Sequence, residues 1–110
     1  MAEELLNKSV NNVNSKPGVL KGWGKTFQLF FADIKVGYLV KVGMDGKVEK
    51  VEKVNKKSAA AVTSVYDTPA TLNALFEGKL DPMEAIAQGL VKPEGTIPEM
   101  TRVSVAMGPQ

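Results

Sequence analysis

The stretch DTPATLNALFEGKLDPMEAIAQGLVKPE, residues 67–94, predicts two short helices of the same design. The first has an N-cap at Asp67 or Thr68, a proline just inside it and Gly78 at its end. The second repeats this order, with Asp81 as the N-cap, a proline at the first helical position and a closing glycine. The residues after it, LVKPEG, read as a short extended piece. These start and stop signals mark where the chain changes from strands to helices.

The two ends of the chain are also predicted to be largely helical. Residues 1–15 form a helix in this interpretation, because leucines and valines recur at helical spacing, and Pro17-Gly18 ends it. In residues 96–107, Thr96 and Glu99 have the spacing of a capping box, which favours a helix. The alternation in Val103-Ser104-Val105 is equally compatible with a strand, so both alternatives stay open.

Residues 20–66 are predicted to be the sheet region. Phe27, Leu29 and Phe31 share one face by strict alternation. The β-branched and aromatic segment 36–44 leads into Met44-Asp45-Gly46, a strong hairpin signal. Segment 58–66, SAAAVTSVY, favours a strand, although its alanine run allows a helix.

Strands grouped before short helices are typical of an α+β fold with an antiparallel sheet. The expectation is one domain over residues 1–110, in which 1–15 is the N-terminal helix and 20–66 the sheet region. Residues 67–107 form a helical region with one short strand. A chain of this length buries roughly two-thirds of its unfolded surface, enough for one core with a cavity.

The most basic segment is KVEKVEKVNKK, residues 47–57, which follows the predicted hairpin turn. As a strand it places Val48 and Val54 on one face and Val51 on the other. A three-residue loop opposes Val42 to Val48 and Lys41 to Glu49, whereas a two-residue loop opposes Lys41 to Lys50. The preferred interpretation is a solvated strand near an edge, where lysines block unwanted pairing.

The same segment argues against nucleic-acid binding. It contains no arginine, and its interleaved residues are valines in place of the aromatic side chains on which bases stack. The net charge of +2 is also too small for a concentrated basic face. A transient contact of these lysines with an anionic membrane surface is the functional role that stays open.

Composition excludes several classes of chemistry. The chain has no cysteine and no histidine, which removes disulfides, thiolate nucleophiles, common zinc sites and the commonest general base. Glycine-rich phosphate loops and metal-binding carboxylate loops are absent from the sequence as well. We therefore expect neither an enzyme nor a bound cofactor or metal. With no signal-peptide pattern and no long apolar run, a cytoplasmic location is expected.

The step Gly78-Lys79-Leu80-Asp81-Pro82, within residues 67–94, resembles the C-terminal half of the sterol carrier protein 2 family. The resemblance extends over residues 20–107, with Asp45-Gly46 at a turn between sheet strands. It implies a sheet of about five largely antiparallel strands, covered on one face by short helices. An apolar cavity between these layers would bind a fatty acid, an acyl-CoA, a sterol-like molecule or another lipid without covalent chemistry. The terminal MGPQ lacks the peroxisomal address of some members.

The residues predicted to line this cavity are large apolar side chains from the sheet and the C-terminal helices. They are Phe27, Leu29, Phe31, Val40, Leu72, Leu75, Phe76, Met83, Ile86, Leu90, Met100 and Val103. Methionines suit such a site because they adapt to ligands of irregular shape. Two alternatives stay open: a protein-interaction module that forms a homodimer, and an accessory domain that presents an apolar substrate to an enzyme.

Overall fold

The computed structural model describes residues 1–108, in which helices flank and follow a block of strands. In chain order the elements are α1 (Ala2–Ser15), α2 (Pro17–Leu20), β1 (Thr26–Phe31), β2 (Val36–Val42), β3 (Val48–Val54), β4 (Val62–Tyr66), α3 (Pro69–Phe76), α4 (Pro82–Ala87), β5 (Val91–Glu94) and α5 (Ile97–Met107).

The strands form one sheet in the order β3-β2-β1-β4-β5. Three of its pairings are antiparallel, and β1 pairs with β4 in parallel. The parallel pair arises because the chain crosses the sheet between β3 and β4, through residues 55–61. The predicted α+β fold with a largely antiparallel five-stranded sheet is therefore confirmed.

One face of the sheet carries the core. Phe27, Leu29 and Phe31 are fully buried there, as their alternation predicts. Their neighbours on β2, including Tyr38 and Val40, are buried on the same face. On the opposite face Phe30, Leu39 and Val65 are half-buried and nearby lysines are exposed. The helices therefore cover one face only, where the apolar side chains of the strands need a partner layer.

The turn between β2 and β3 combines features of both predicted registers. The N–H of Gly43 donates to the carbonyl of Lys47 at 2.9 Å, and Val42 faces Val48, as a three-residue loop requires. Immediately beyond, the register shifts, and Lys41 faces Lys50. The extra residue, Glu49, forms a β-bulge, and its carboxylate lies 3.9 Å from the Lys41 ammonium group.

The bulge also changes which valines of β3 share a face. Val48 and Val51 oppose Val42 and Val40, which lie on the core face, whereas Val54 opposes Gly37 on the other face. The expected grouping of Val48 with Val54 is wrong because one extra residue reverses the alternation. The interpretation of this segment as a lysine-rich strand at the sheet edge is confirmed.

The tip of this hairpin packs against the junction of α1 and α2. Gly46 has a φ of +86°, and a β-carbon there would lie 1.9 Å from the carbonyl oxygen of Pro17. Only glycine fits such a contact. Pro17 does not simply end the first helix as expected: α1 ends at Ser15, and the proline begins α2, where its missing N–H costs nothing.

Residues 97–107 form a helix, α5, which settles the alternative left open by the sequence. Thr96 is its N-cap and accepts the Glu99 N–H at 3.3 Å. At the other end, the Lys16 ammonium group donates to the carbonyls of Val105 and Gly108, which satisfies the last turn. None of the helices within residues 1–108 has the length and apolar content needed to span a bilayer.

Candidate functional site

A partly enclosed apolar pocket of about 200 Å³ lies between the core face of β4 and β5 and the three C-terminal helices. Its walls are made of leucine, phenylalanine, isoleucine, valine, methionine and proline side chains, with three hydroxyl-bearing residues among them. The lining residues are Ser64, Tyr66, Leu72, Leu75, Phe76, Pro82, Ile86, Val91, Pro93, Ser104, Met107 and Gly108.

Helix α3 supplies the largest apolar wall. The Asp67 carboxylate accepts the Thr68 N–H at 2.8 Å and also the Thr71 hydroxyl, and the Thr68 hydroxyl accepts the Thr71 N–H at 3.3 Å. These bonds fix the first turn and thereby the rotation of the helix. As a result Leu72, together with Leu75 and Phe76 three and four residues later, faces the pocket.

Helix α4 forms the outer wall and is held weakly. Its N-cap, Asp81, accepts the Met83 N–H at 3.3 Å, and Ala85 is its only buried residue. Ile86 lines the pocket while 43% of it stays exposed to solvent. Because one alanine buries little area, α4 contributes little apolar contact to the core.

The sheet wall contains the polar part of the pocket. Tyr66 is almost completely buried, and its ring stacks on Phe31 with 5.7 Å between the ring centroids. Burial raises the pKa of Tyr66 to about 12, an effect opposed by an interaction with the Ser64 side chain. The tyrosine is therefore a neutral hydroxyl group at ordinary pH.

Helix α5 closes the pocket from the third side and is anchored by Glu99. The Glu99 carboxylate accepts hydrogen bonds from Lys25, Trp23 and Thr96, each at 2.9 Å. These bonds lower the pKa of Glu99 to about 2, and the bond from Lys25 has the largest effect. The anchor helps to fix the helix so that Ser104, five residues further along, borders the pocket.

The structure brings only some of the predicted lining residues to the pocket. Four of them line it: Leu72, Leu75, Phe76 and Ile86. Five others are packed inside the core and do not border the pocket: Phe27, Leu29, Phe31, Val40 and Val103. The reason is that β1, β2 and the buried side of α5 lie where the layers pack tightly, whereas the gap opens beside β4 and β5.

Three predicted residues lie elsewhere. Leu90 and Met100 are half-buried against the edge of the core and are not among the lining residues. Met83 is 72% exposed, since the Asp81 cap sets a rotation of α4 in which Ala85 and Ile86 face inward. The apolar character of Met83 predicted burial, but a helix of six residues buries only a narrow face.

Sequence reasoning missed the sheet side of the pocket, formed by Ser64, Tyr66, Val91 and Pro93. The alternation of Val62, Ser64 and Tyr66 could have placed the β4 residues on the core face. A short extended piece was predicted where β5 lies, but no signal shows which of its residues face the core, because four residues, one of them a proline, show little periodicity.

No family model and no curated protein matches the chain. Several solved structures, in contrast, are similar to the chain in fold. A double mutant of a sec-alkyl sulfatase from Pseudomonas is 20% identical with a TM-score of 0.78, and the match covers 100% of this chain. The chain spans only 17% of that enzyme's length.

Two smaller proteins match over nearly their whole length. Sterol carrier protein 2 is 17% identical with a TM-score of 0.63, and 94% of each chain is covered. A palmitated sterol carrier protein 2-like protein from Aedes aegypti is 16% identical with a TM-score of 0.56, and 92% of this chain and 93% of that one are covered. The resemblance seen in residues 67–94 is thus confirmed at the level of the fold: the chain folds as a sterol carrier protein 2 domain.

Proposed function

We propose that this protein binds a lipid or another apolar molecule, without catalysis, in the pocket between β4–β5 and helices α3 to α5. The observation that carries the proposal is the pocket itself: a gap of about 200 Å³ with an apolar lining, beside a core that is otherwise tightly packed. Apolar clefts with a few polar groups are the usual form of small-molecule sites.

Burial of hydrocarbon would supply the affinity. Each methylene group that leaves water for the pocket contributes about 0.8 kcal/mol, or roughly a fourfold gain in affinity. Sites for drug-sized ligands usually enclose about 300–1,000 Å³, so a long chain requires the pocket to expand. The weak attachment of α4 through Ala85 allows that expansion without disturbing the core.

Similarity to other proteins supports the ligand class only through the fold. One structural relative, the sterol carrier protein 2-like protein from Aedes aegypti, is palmitated. A chain with the same arrangement of sheet and helices, and an apolar gap between them, is suited to hold a similar hydrocarbon.

Native mass spectrometry of freshly purified protein tests the proposal. We expect an apolar molecule to be retained, or an added decanol to bind with a stoichiometry of one. Protein that is repeatedly free of lipid and also fails to bind decanol and decanoate would rule out the carrier function.

A second candidate is an accessory domain that presents an apolar substrate to an enzyme. It is favoured by the full-length match of this chain to one part of a sec-alkyl sulfatase. Calorimetry with a secondary alkyl sulfate and the corresponding secondary alcohol tests this role. Binding of the sulfate ester would support it, whereas binding of the alcohol alone would rule out presentation of that substrate.

A further inference from the structure

The polar groups of the pocket are few, uncharged and unevenly placed. Ser64 and Tyr66 lie two residues apart on β4, so their side chains project from the same face of the sheet and both border the pocket. Ser104 is more exposed and borders the pocket from α5. The sheet wall thus has one hydroxyl-bearing site in otherwise apolar surroundings.

Charged groups are missing from this lining. Of the pocket residues within the described range 1–108, none is a lysine, arginine, aspartate or glutamate. A carboxylate or phosphate placed at the Ser64–Tyr66 site would lose its hydration without gaining a counter-charge, which is costly. An uncharged oxygen would instead replace its hydrogen bonds to water with bonds to the two hydroxyl groups.

Two further features fit a neutral head group. Tyr66 stays protonated well beyond physiological pH, so its hydroxyl can donate a hydrogen bond as well as accept one. Its ring is fixed by stacking on Phe31, so the hydroxyl is held in place before a ligand arrives.

Resting on the proposed function, we infer that the pocket selects apolar ligands that carry one uncharged oxygen head group, such as an alcohol, ketone or ester, and holds that oxygen at Ser64 and Tyr66. Ionised fatty acids are the disfavoured class. Their carboxylate stays in water at the mouth, so they bind without the hydrogen bonds to Ser64 and Tyr66.

Competition against the neutral fluorescent probe N-phenyl-1-naphthylamine tests the inference. Decanol, decan-2-one and decanoate displace the probe at about pH 8, where a carboxyl group is ionised. Wild-type protein is compared with Tyr66→Phe and Ser64→Ala. Tyr38→Phe is the matched control, since Tyr38 is a buried tyrosine on the same face of the sheet that does not line the pocket.

We expect decanol and decan-2-one to bind at least about tenfold more tightly than decanoate to the wild type. Tyr66→Phe and Ser64→Ala each reduce the affinity for the two neutral ligands by about 3- to 10-fold relative to the affinity for decanoate, which makes no hydrogen bond to either hydroxyl group. Tyr38→Phe changes none of the affinities.

Equal affinities for decanol and decanoate, or a Tyr66→Phe variant that binds decanol as tightly as the wild type, would overturn the inference and leave the proposed function intact. Failure of the probe and of all three ligands to bind would instead refute the proposed function, and this inference with it. If the Tyr66→Phe variant does not fold, the affinity of Ser64→Ala for decanol tests the inference in its place.

Discussion

Replacement of Ser104 by tryptophan is expected to fill part of the pocket and to end the rise of affinity with chain length about four methylene groups earlier than in the wild type. Ser104 borders the pocket from α5, and its own side chain is exposed, so the change removes nothing from the core. Surface substitutions of this kind usually change the free energy of unfolding by no more than about 0.5 kcal/mol. The variant therefore tests the pocket separately from the fold.

The magnitude follows from the size of the pocket. Its volume of about 200 Å³ gives room for roughly seven groups of the size of a water molecule, at about 30 Å³ each. In the wild type, affinity for a series of primary alcohols should rise about fourfold per methylene group over roughly that length. An indole ring that displaces about four methylene groups then costs about 3 kcal/mol, or roughly 200-fold in the affinity for a long chain.

Isothermal titration calorimetry with alcohols of increasing length measures this slope. Val105→Trp is the matched control, because Val105 is the next residue on α5, is 55% exposed and does not line the pocket. We expect Val105→Trp to keep the wild-type slope. Equal slopes over the whole series of alcohols in Ser104→Trp and the wild type, with both proteins folded, would show that hydrocarbon binds elsewhere and would refute the assignment.

Three further changes test the fold and the charged surface. Gly46→Ala should lower the free energy of unfolding by at least about 2 kcal/mol, because a β-carbon at this position would collide with the backbone of Pro17. Gly22→Ala is the control: its φ is similarly positive but its surroundings are open, so it should cost only about 1–2 kcal/mol. Equal losses of stability in urea unfolding would contradict the contact. The stabilisation contributed by Glu99 should be fully present above about pH 4.5 and be lost progressively as the pH falls through about 2, where its pKa lies. Glu99→Gln should therefore be less stable than the wild type at neutral pH, and its acid titration should lack this phase. Identical acid titrations of the two proteins, followed by tryptophan fluorescence, would refute the anchor. Charge reversal of Lys50 and Lys53 should slow lipid transfer from anionic vesicles severalfold at low salt. At high salt the effect should be small, because salt screens the attraction between the lysines and the vesicle surface. Unchanged transfer rates at low salt would exclude these lysines from membrane contact.

Local chemistry made the C-terminal helices predictable. The caps at Thr68, Asp81 and Thr96 act through bonds to backbone N–H groups within three residues, so short-range sequence is enough to place each start. The same holds for the hairpin turn at Asp45-Gly46, where the need for a positive φ is visible as a glycine.

Properties that depend on distant contacts were not predictable. The bulge at Glu49 leaves no mark in a sequence that repeats every three residues, yet it decides which face Val51 occupies. The position of the pocket likewise depends on where the sheet and the helices separate. Phe27 does not line the pocket because it is packed inside the core, and Met83 does not line it because it is exposed to solvent. Hydrophobic character predicts burial, but it does not distinguish a cavity wall from a filled core.

Intermolecular nuclear Overhauser contacts between uniformly labelled protein and unlabelled decanol test the central claim most directly. The account predicts contacts from the alkyl chain to Leu72, Phe76 and Ile86, with the hydroxyl end near Tyr66. Contacts confined to the opposite face of the sheet, around Phe30, or a complex with no contacts to these helices, would contradict it.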